Sequence, residues 1–461
     1  MQPRLNQWMT LILLLLWSNV AICEPAGPFA TAIQANTLQQ AKMVVSCDRL
    51  PATQSMTLAS VVNMALCNNP QTHQAWSNSQ VQLAQLGVSN SAYLPTISAN
   101  ISGDRSSNAT TARSAGLSLS YLLFDFGGRA AGRENAQQLL VAANASRDNT
   151  IQSVFLSAVQ GYYNTLAAQA ALTAANKSEQ AAELSHAAAM ARYQAGAATP
   201  ADKLSAQTAW SQARLNRINA EGTLNKARGT LANTLGLDAN ITVTLVETTD
   251  LPPDLSFEQN IQTLIDQARR QRPDLRASEA QIHAAEAGVA AAEASGKPSL
   301  SLVASGNRRD SAGLTSNTSS VGVSLSVPLF SGYATTYRIR AAEAQLESTK
   351  SRAEQLSTQV ALDVWNAYHT LLTATQSVRT SNDLLASAEQ SERVALGRYQ
   401  AGVGSMLDIL NAQSMLASAR QQQIQARLDW NIGRAALAQA MGTLDPTLLD
   451  TPATPQEIRT P

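Results

Sequence analysis

Charge is scarce in this 461-residue chain: 14% of residues are charged, and the formal net charge is zero. No basic excess or polybasic run exists to hold nucleic acid or an anionic membrane surface. Aromatic residues make up only 5%, too few for the compact cores of the roughly two to four domains that such a length suggests. Beyond the N-terminus, no apolar run approaches the roughly 20 residues a membrane-spanning helix needs. The histidines His73, His186, His283 and His369 are scattered, with no HExxH and no metal-ligand pair. The glycines of "GGRAAG" (127–132) have the wrong spacing for a dinucleotide fingerprint and read as a strand-to-helix transition. No nucleophile–base pattern stands out. Enzyme chemistry, a cofactor and a metal are therefore not expected.

Proline is absent between Pro95 and Pro200, and again between Pro328 and Pro446. Proline inside a helix costs about 3 kcal/mol, so both intervals can hold very long helices. One from about Arg129 to Gln194 would run roughly 100 Å at 1.5 Å per residue. Ala, Gln, Ser and Leu dominate, the composition of long helices packed closely through small side chains. Leu224, Ala227, Leu231 and Leu235 recur at helical spacing, as do Ile424, Leu428, Ile432 and Ala435. Each set predicts a packing seam.

The N-terminus, "MQPRLNQWMTLILLLLWSNVAICEPAG", has one positive charge at Arg4, an apolar run, then small residues Ala21 and Cys23. It fits a secretory signal peptide, 1–23. A lipid anchor on Cys23 is the other reading, with bulky Ile22 against it. The remaining cysteines are Cys47 and Cys67. In an exported protein such a pair suggests a disulfide tying the N-terminal arm (24–56) to the first helix; two separate thiols are the alternative.

One passage is nearly repeated. "ARYQAGAATPADKLSAQ" begins at Ala191 and "GRYQAGVGSMLDILNAQ" at Gly397. Tyr193 and Tyr399 stand 206 residues apart (399 − 193), as do Gly196 and Gly402, Asp202 and Asp408, and Gly236 and Gly442. A period this long points to a duplicated half-chain rather than a solenoid. In each copy a glycine suits the left-handed stop of a helix. Thr199 or Ser405 then caps the next helix, Pro200 takes a first helical position, and Asp202 or Asp408 follows three residues after the cap.

Between the helices the period becomes two. In "TISANIS" Ile97, Ala99 and Ile101 alternate with polar residues; in "GLSLSYLLF" Leu117, Leu119, Tyr121 and Leu123 share a face. The second half repeats this in "SLSLVAS" and "VGVSLSVPLF", where Val321, Val323, Leu325, Val327 and Leu329 align. Such alternation predicts strands with one apolar face. The polar loops 104–115 and 308–320 would join them. The expected domains are a first repeat, 57–250 (helix, hairpin 96–124, long helix, turn 194–200, helix). A second repeat, 251–442, has its hairpin at 299–330 and its turn at 400–405. A Pro/Thr-rich mobile tail, 443–461, follows.

Strands that are apolar on one face and Ser/Gly-rich on the other suit a transmembrane barrel wall. Tyr93, Phe124, Phe126, Phe330 and Tyr333 gather where strands meet helices, as an aromatic girdle would; closing an ordinary helix–sheet core is the other reading. Four strands cannot close a barrel, and open edges are not tolerated in lipid. Copies must pool strands, and polar inward residues favour three copies and an open lumen over two.

"NNPQ" (68–71), "YLP" (93–95), "LLFDFGGR" (122–129), "PLFSG" (328–332) and the two YQAG turns, each followed by "AQ" and ending at Leu235-Gly236 or Met441-Gly442, together resemble the TolC family of outer-membrane efflux proteins. The resemblance spans roughly 57–442. It implies a mainly α fold with a transmembrane β-barrel portion: a homotrimer whose twelve-stranded outer-membrane barrel continues into a long α-helical barrel in the periplasm. It implies a passive exit duct, recruited by a periplasmic adaptor protein and an inner-membrane transporter, for drugs or a secreted polypeptide. "ALCNNPQTHQAW" is similar to the type I secretion branch. The hairpin tips Tyr193, Gly196, Tyr399 and Gly402 would meet the adaptor. Asp408 matches an acidic ring that narrows the periplasmic entrance, with Asp202 its first-half counterpart; simple capping is the other role for both. The family's second acidic position falls on Asn411, and a basic entrance residue falls on Gly404. The rival reading is a periplasmic helical-hairpin adaptor or scaffold.

Overall fold

The computed structural model describes residues 55–105, 112–246, 260–311 and 314–444. The expected signal peptide, nearly all of the arm with Cys47, and most of the tail lie outside these residues. Cys67 is disulfide-bonded. Among the described residues, no helix is long and apolar enough to cross a membrane.

The first half contains α1 (Leu58–Asn68), α2 (Pro70–Ser91), β1 (Thr96–Asp104), β2 (Ala112–Phe124), α3 (Gly128–Gln194) and α4 (Pro200–Thr234). The second contains α5 (Ile261–Gln271), α6 (Pro273–Ala294), β3 (Ser299–Ser311), β4 (Leu314–Ser326), α7 (Ala334–Gln400) and α8 (Met406–Ala440). Helices α3 and α7 each hold 67 residues without an internal proline, about 100 Å of helix. Prolines stand instead at the starts of α2, α4 and α6, where the missing N–H costs nothing. Thr57 caps α1, Asn69 caps α2 and Asn260 caps α5, each accepting a backbone N–H.

Helices α3 and α4 pack as one antiparallel pair and α7 and α8 as another; α3 also packs along α8. In the first pair Leu224, Leu231 and Leu235 are buried as their spacing predicts. Of the expected α8 seam only Ala435 is buried; Ile424, Leu428 and Ile432 are half-buried, and the buried stripe includes Ala426, Trp430, Gly433 and Leu437. A helix with two neighbours and many small residues has no single apolar face, so periodicity alone misplaces its seam.

The halves also match at their kinks. Asn69, between α1 and α2, donates from Nδ2 to the Thr234 carbonyl at 2.9 Å. Arg272, between α5 and α6, donates from Nη1 to the Ala440 carbonyl at 3.4 Å. Both carbonyls lie at the last residue of a helix, where no intrahelical donor exists. Gly236 and Gly442 follow with φ of 71° and 73° and let the kink backbone approach. After Gly442, Thr443 donates to the Ala438 carbonyl and Leu444 is buried.

The strands form one antiparallel sheet in the order β1-β2-β3-β4. Its register aligns Ser98, Ser118, Ser305 and Ser320 across one face. Their hydroxyls pair at 2.7 Å and 2.9 Å. The next row, on the other face, is Ile97, Leu119, Ala304 and Val321. The strands run further than alternation indicates. Residues 308–311 and 314–320, expected in a loop, are paired strand. There, Leu314 apart, both faces are polar, so the backbone ladder continues where no hydrophobic period marks it. Conversely, Val327 and Leu329 lie past the end of β4 at Ser326; Pro328 between them has no N–H for a ladder.

Candidate functional site

The sheet is the first candidate surface. Every residue of β1 and β4 is exposed along its length. Each is an edge strand, with neither edge covered by another described element. The apolar row side chains are open too: Ile97 is 71% exposed, Val321 78% and Leu325 66%. A soluble protein shields long apolar edges, because they template aggregation.

The expected girdle residues stand where the sheet meets the helices, and Tyr93, Phe124, Phe126, Phe330 and Tyr333 are all exposed. Phe124 and Phe126 make an edge-to-face pair at 4.7 Å, Phe330 and Tyr333 another at 5.7 Å. Two successive residues at each strand-to-helix junction have positive φ: Phe126 (52°) and Gly127 (93°), then Gly332 (61°) and Tyr333 (64°). The backbone path is repeated while aromatic and glycine exchange places. A bulky residue at positive φ is strained, so the surroundings must hold it. Arg129 does this in the first junction, donating to the Leu122 and Leu123 carbonyls at 2.7 and 3.1 Å. Its guanidinium also lies 4.9 Å from the Tyr93 ring centre.

The hairpin tips are the second surface. Helix α3 ends with Ala197 N donating to the Arg192 carbonyl and Gly196 N to the Tyr193 carbonyl. Helix α7 ends with Val403 N on Arg398 and Gly402 N on Tyr399. This paired pattern needs a left-handed residue, and Gly196 and Gly402 have φ of 72° and 79°. The following helices open on capping boxes. Asp202 N donates to Thr199 Oγ1 at 3.2 Å while Thr199 N donates to Asp202 Oδ2 at 3.0 Å. Asp408 and Ser405 repeat this at 3.1 Å in both directions. Hydrogen bonds from Thr199, first from its side chain, hold the Asp202 carboxyl below its usual range. The Ser405 backbone N–H, then its side chain, does the same for Asp408, with help from the charge of Arg398.

Asp408 and Asn411 are both exposed on α8, one turn apart and so on one face. Asp202 is half-exposed on α4. Gly404 packs so tightly that a Cβ would fall 2.9 Å from Tyr399 N and 3.1 Å from Arg398 Cβ. A basic side chain does not fit there without moving the helix end.

Sequence reasoning passed over Arg192. Its guanidinium lies 4.0 Å from the Tyr399 ring centre, and Nη2 donates to the Tyr399 carbonyl at 2.9 Å. The two hairpins of one chain are thus joined at their tips, above a buried cluster of Ala189, Ala206, Tyr399, Met406 and Ile409. The signal was in the echo itself, since Arg precedes Tyr in both copies.

The sequence profile described as outer membrane efflux protein matches residues 61–237 and 264–443. The protein CyaE of Bordetella pertussis is 29% identical over 412 residues, covering 86% of each chain. The outer membrane efflux protein BepC of Brucella suis is 25% identical, covering 85% of this chain and 87% of its own. The crystal structure of the Campylobacter jejuni CmeC outer membrane channel superimposes with a TM-score of 0.77 at 19% identity, covering 84% of this chain and 86% of that one. With both halves matched, and with the four-stranded sheet and paired long helices in place, the chain belongs to the outer membrane efflux protein family.

Proposed function

We propose that three copies of the chain close one conduit, pooling three four-stranded sheets into a twelve-stranded barrel. As a member of its family the protein is an outer-membrane export channel, with its long helices in the periplasm. The observation that carries the assembly is the pair of bare edges, β1 and β4, on a sheet whose apolar rows are open. In lipid an unpaired backbone group costs several kcal/mol, and four strands cannot curl far enough to satisfy their own edges. Joining β1 of one copy to β4 of the next satisfies both. The serine rows then face a lumen, which a twelve-stranded barrel leaves open.

The channel acts as a conduit rather than an enzyme. Drugs or a secreted polypeptide pass along the hydroxyl-lined wall, and an inner-membrane transporter supplies the energy. A periplasmic adaptor docks around the tips at Tyr193, Gly196, Tyr399 and Gly402. Asp408 places one carboxylate per copy at the periplasmic entrance, with Asn411 beside it as an uncharged neighbour. Asp202 caps the companion hairpin. The adaptor reading of the chain itself is set aside, because the family is one of outer-membrane efflux proteins.

Light scattering of the detergent-purified protein tests the assembly. A mass of three chains is expected, with the protein retained in washed outer membranes. A single chain that stays soluble without detergent would overturn it.

A further inference from the structure

We infer that neighbouring copies are joined at the periplasmic tips by a second edition of the seam that one chain already makes inside itself. Arg398 of one copy lies over the Tyr193 ring of the next, and Gln207 bonds Ser391 across the same boundary. The inference rests on the assembly proposed above.

Within one chain the seam runs from α3 to the end of α7 and to α8. Arg192 covers the Tyr399 ring and donates to its carbonyl. One to two turns up, Gln413 Nε2 lies 3.0 Å from Ser185 Oγ. Moving each of the four residues by the internal period of 206 maps Arg192 to Arg398, Tyr399 to Tyr193, Ser185 to Ser391 and Gln413 to Gln207. All four residue types are kept. Yet in one chain these four stand open: Arg398, Ser391 and Gln207 are exposed, and Tyr193 is 39% exposed where Tyr399 is 7%. They sit on α7, on α4 and at the end of α3, so they cannot meet within one copy as their counterparts do. In a closed ring, α7 of one copy stands beside α4 of the next as α3 stands beside α8. Leu204 on α4 and Val394 on α7, 59% and 49% exposed, lie on these unfilled helices.

The apolar anchors are not repeated. Buried Met406 and Ile409 correspond to Pro200 and Lys203. Lys203 Nζ already lies 5.2 Å from the Tyr193 ring centre. The boundary between copies therefore leans on the ring–guanidinium and amide–hydroxyl contacts, which are stronger out of water.

The test is thiol bridging of the full-length detergent-purified channel with a short bis-methanethiosulfonate. Ser185→Cys with Gln413→Cys is the internal control and should bridge within a chain, leaving single-chain bands on denaturing gels. Ser391→Cys with Gln207→Cys should instead shift the protein to two- and three-chain bands in comparable yield, and the parental protein should give neither. Tyr193→Ala should lose that ladder while Tyr193→Phe keeps it. If the control bridges and the oligomer is intact but no ladder forms, the inference fails and the channel assembly stands. If light scattering finds only single chains, the assembly itself fails and this boundary with it.

Discussion

The kinks of the two halves do the same work with different chemistry. In the first half a neutral amide, Asn69, bonds the last carbonyl of α4. In the second, Arg272 reaches the last carbonyl of α8 and pairs with Asp274 at 2.6 Å and Asp363 at 3.2 Å. Gln71 and Ser157 stand at the corresponding places of the first half. Burial disfavours the Arg272 charge, but Asp274 and then Asp363 outweigh it and push its pKa up. What the fold demands is a donor at the kink and a glycine beside it. Whether that donor is charged is free, provided the counter-charges come with it.

The glycines should break the comparison most severely. A Cβ at Gly236 would overlap the Asn68 carbonyl, whereas one at Gly442 would sit 3.0 Å from Arg272 Cα. Gly236→Ala should therefore cost about 3 kcal/mol or more, and Gly442→Ala about 1–2 kcal/mol, since both also strain a left-handed residue. Thermal unfolding of the detergent-solubilised oligomer measures the difference; equal losses would mean the two approaches are equivalent.

Exchanging the donors sharpens it. Arg272→Ala leaves two carboxylates and a helix-end carbonyl without their donor. The expected loss is about 2 kcal/mol, discounted because Asp363 is 36% exposed. Asn69→Ala should cost about 1 kcal/mol, for a cap and one hydrogen bond. The triple change Arg272→Asn, Asp274→Gln, Asp363→Ser rebuilds the first-half chemistry and should be less harmful than Arg272→Ala alone. A triple variant that is worse would tie the second half to its ions.

The smallest effects belong to the tips. Both capping carboxylates are held below their ordinary value of 3.8. A lowered folded pKa means the caps contribute fully above that value and are lost as pH falls through the lowered one. The protection factors of the Thr199 and Ser405 amides, which donate to these carboxylates, should thus fall only in acid. Asp408→Asn keeps a hydrogen-bond acceptor but removes charge. It should reduce cation selectivity in planar bilayers, and Asp202→Asn should change it less. Unaltered selectivity in Asp408→Asn would leave that residue with capping alone.

Much of this was legible in the residues. Gly196, Thr199, Asp202 and their echoes announce turn and cap because those interactions span only a few residues. The strands were visible where apolar and polar side chains alternate, and invisible at 308–311 and 315–320, where both faces are polar. The contacts of Arg192 with Tyr399 and of Arg272 with Asp363 and Ala440 were not legible, since those groups come near only by folding.

The sequence by itself determined the helices, their stops, the two-faced strands and the duplication, because each is written in local spacing and backbone preference. Only the tertiary structure decided that β2 pairs with β3 across the halves, that α8 buries Trp430 rather than Leu428, and that one chain ends in two bare edges. Those outcomes depend on which surfaces compete for the same neighbour, and that competition is settled between residues far apart in the chain.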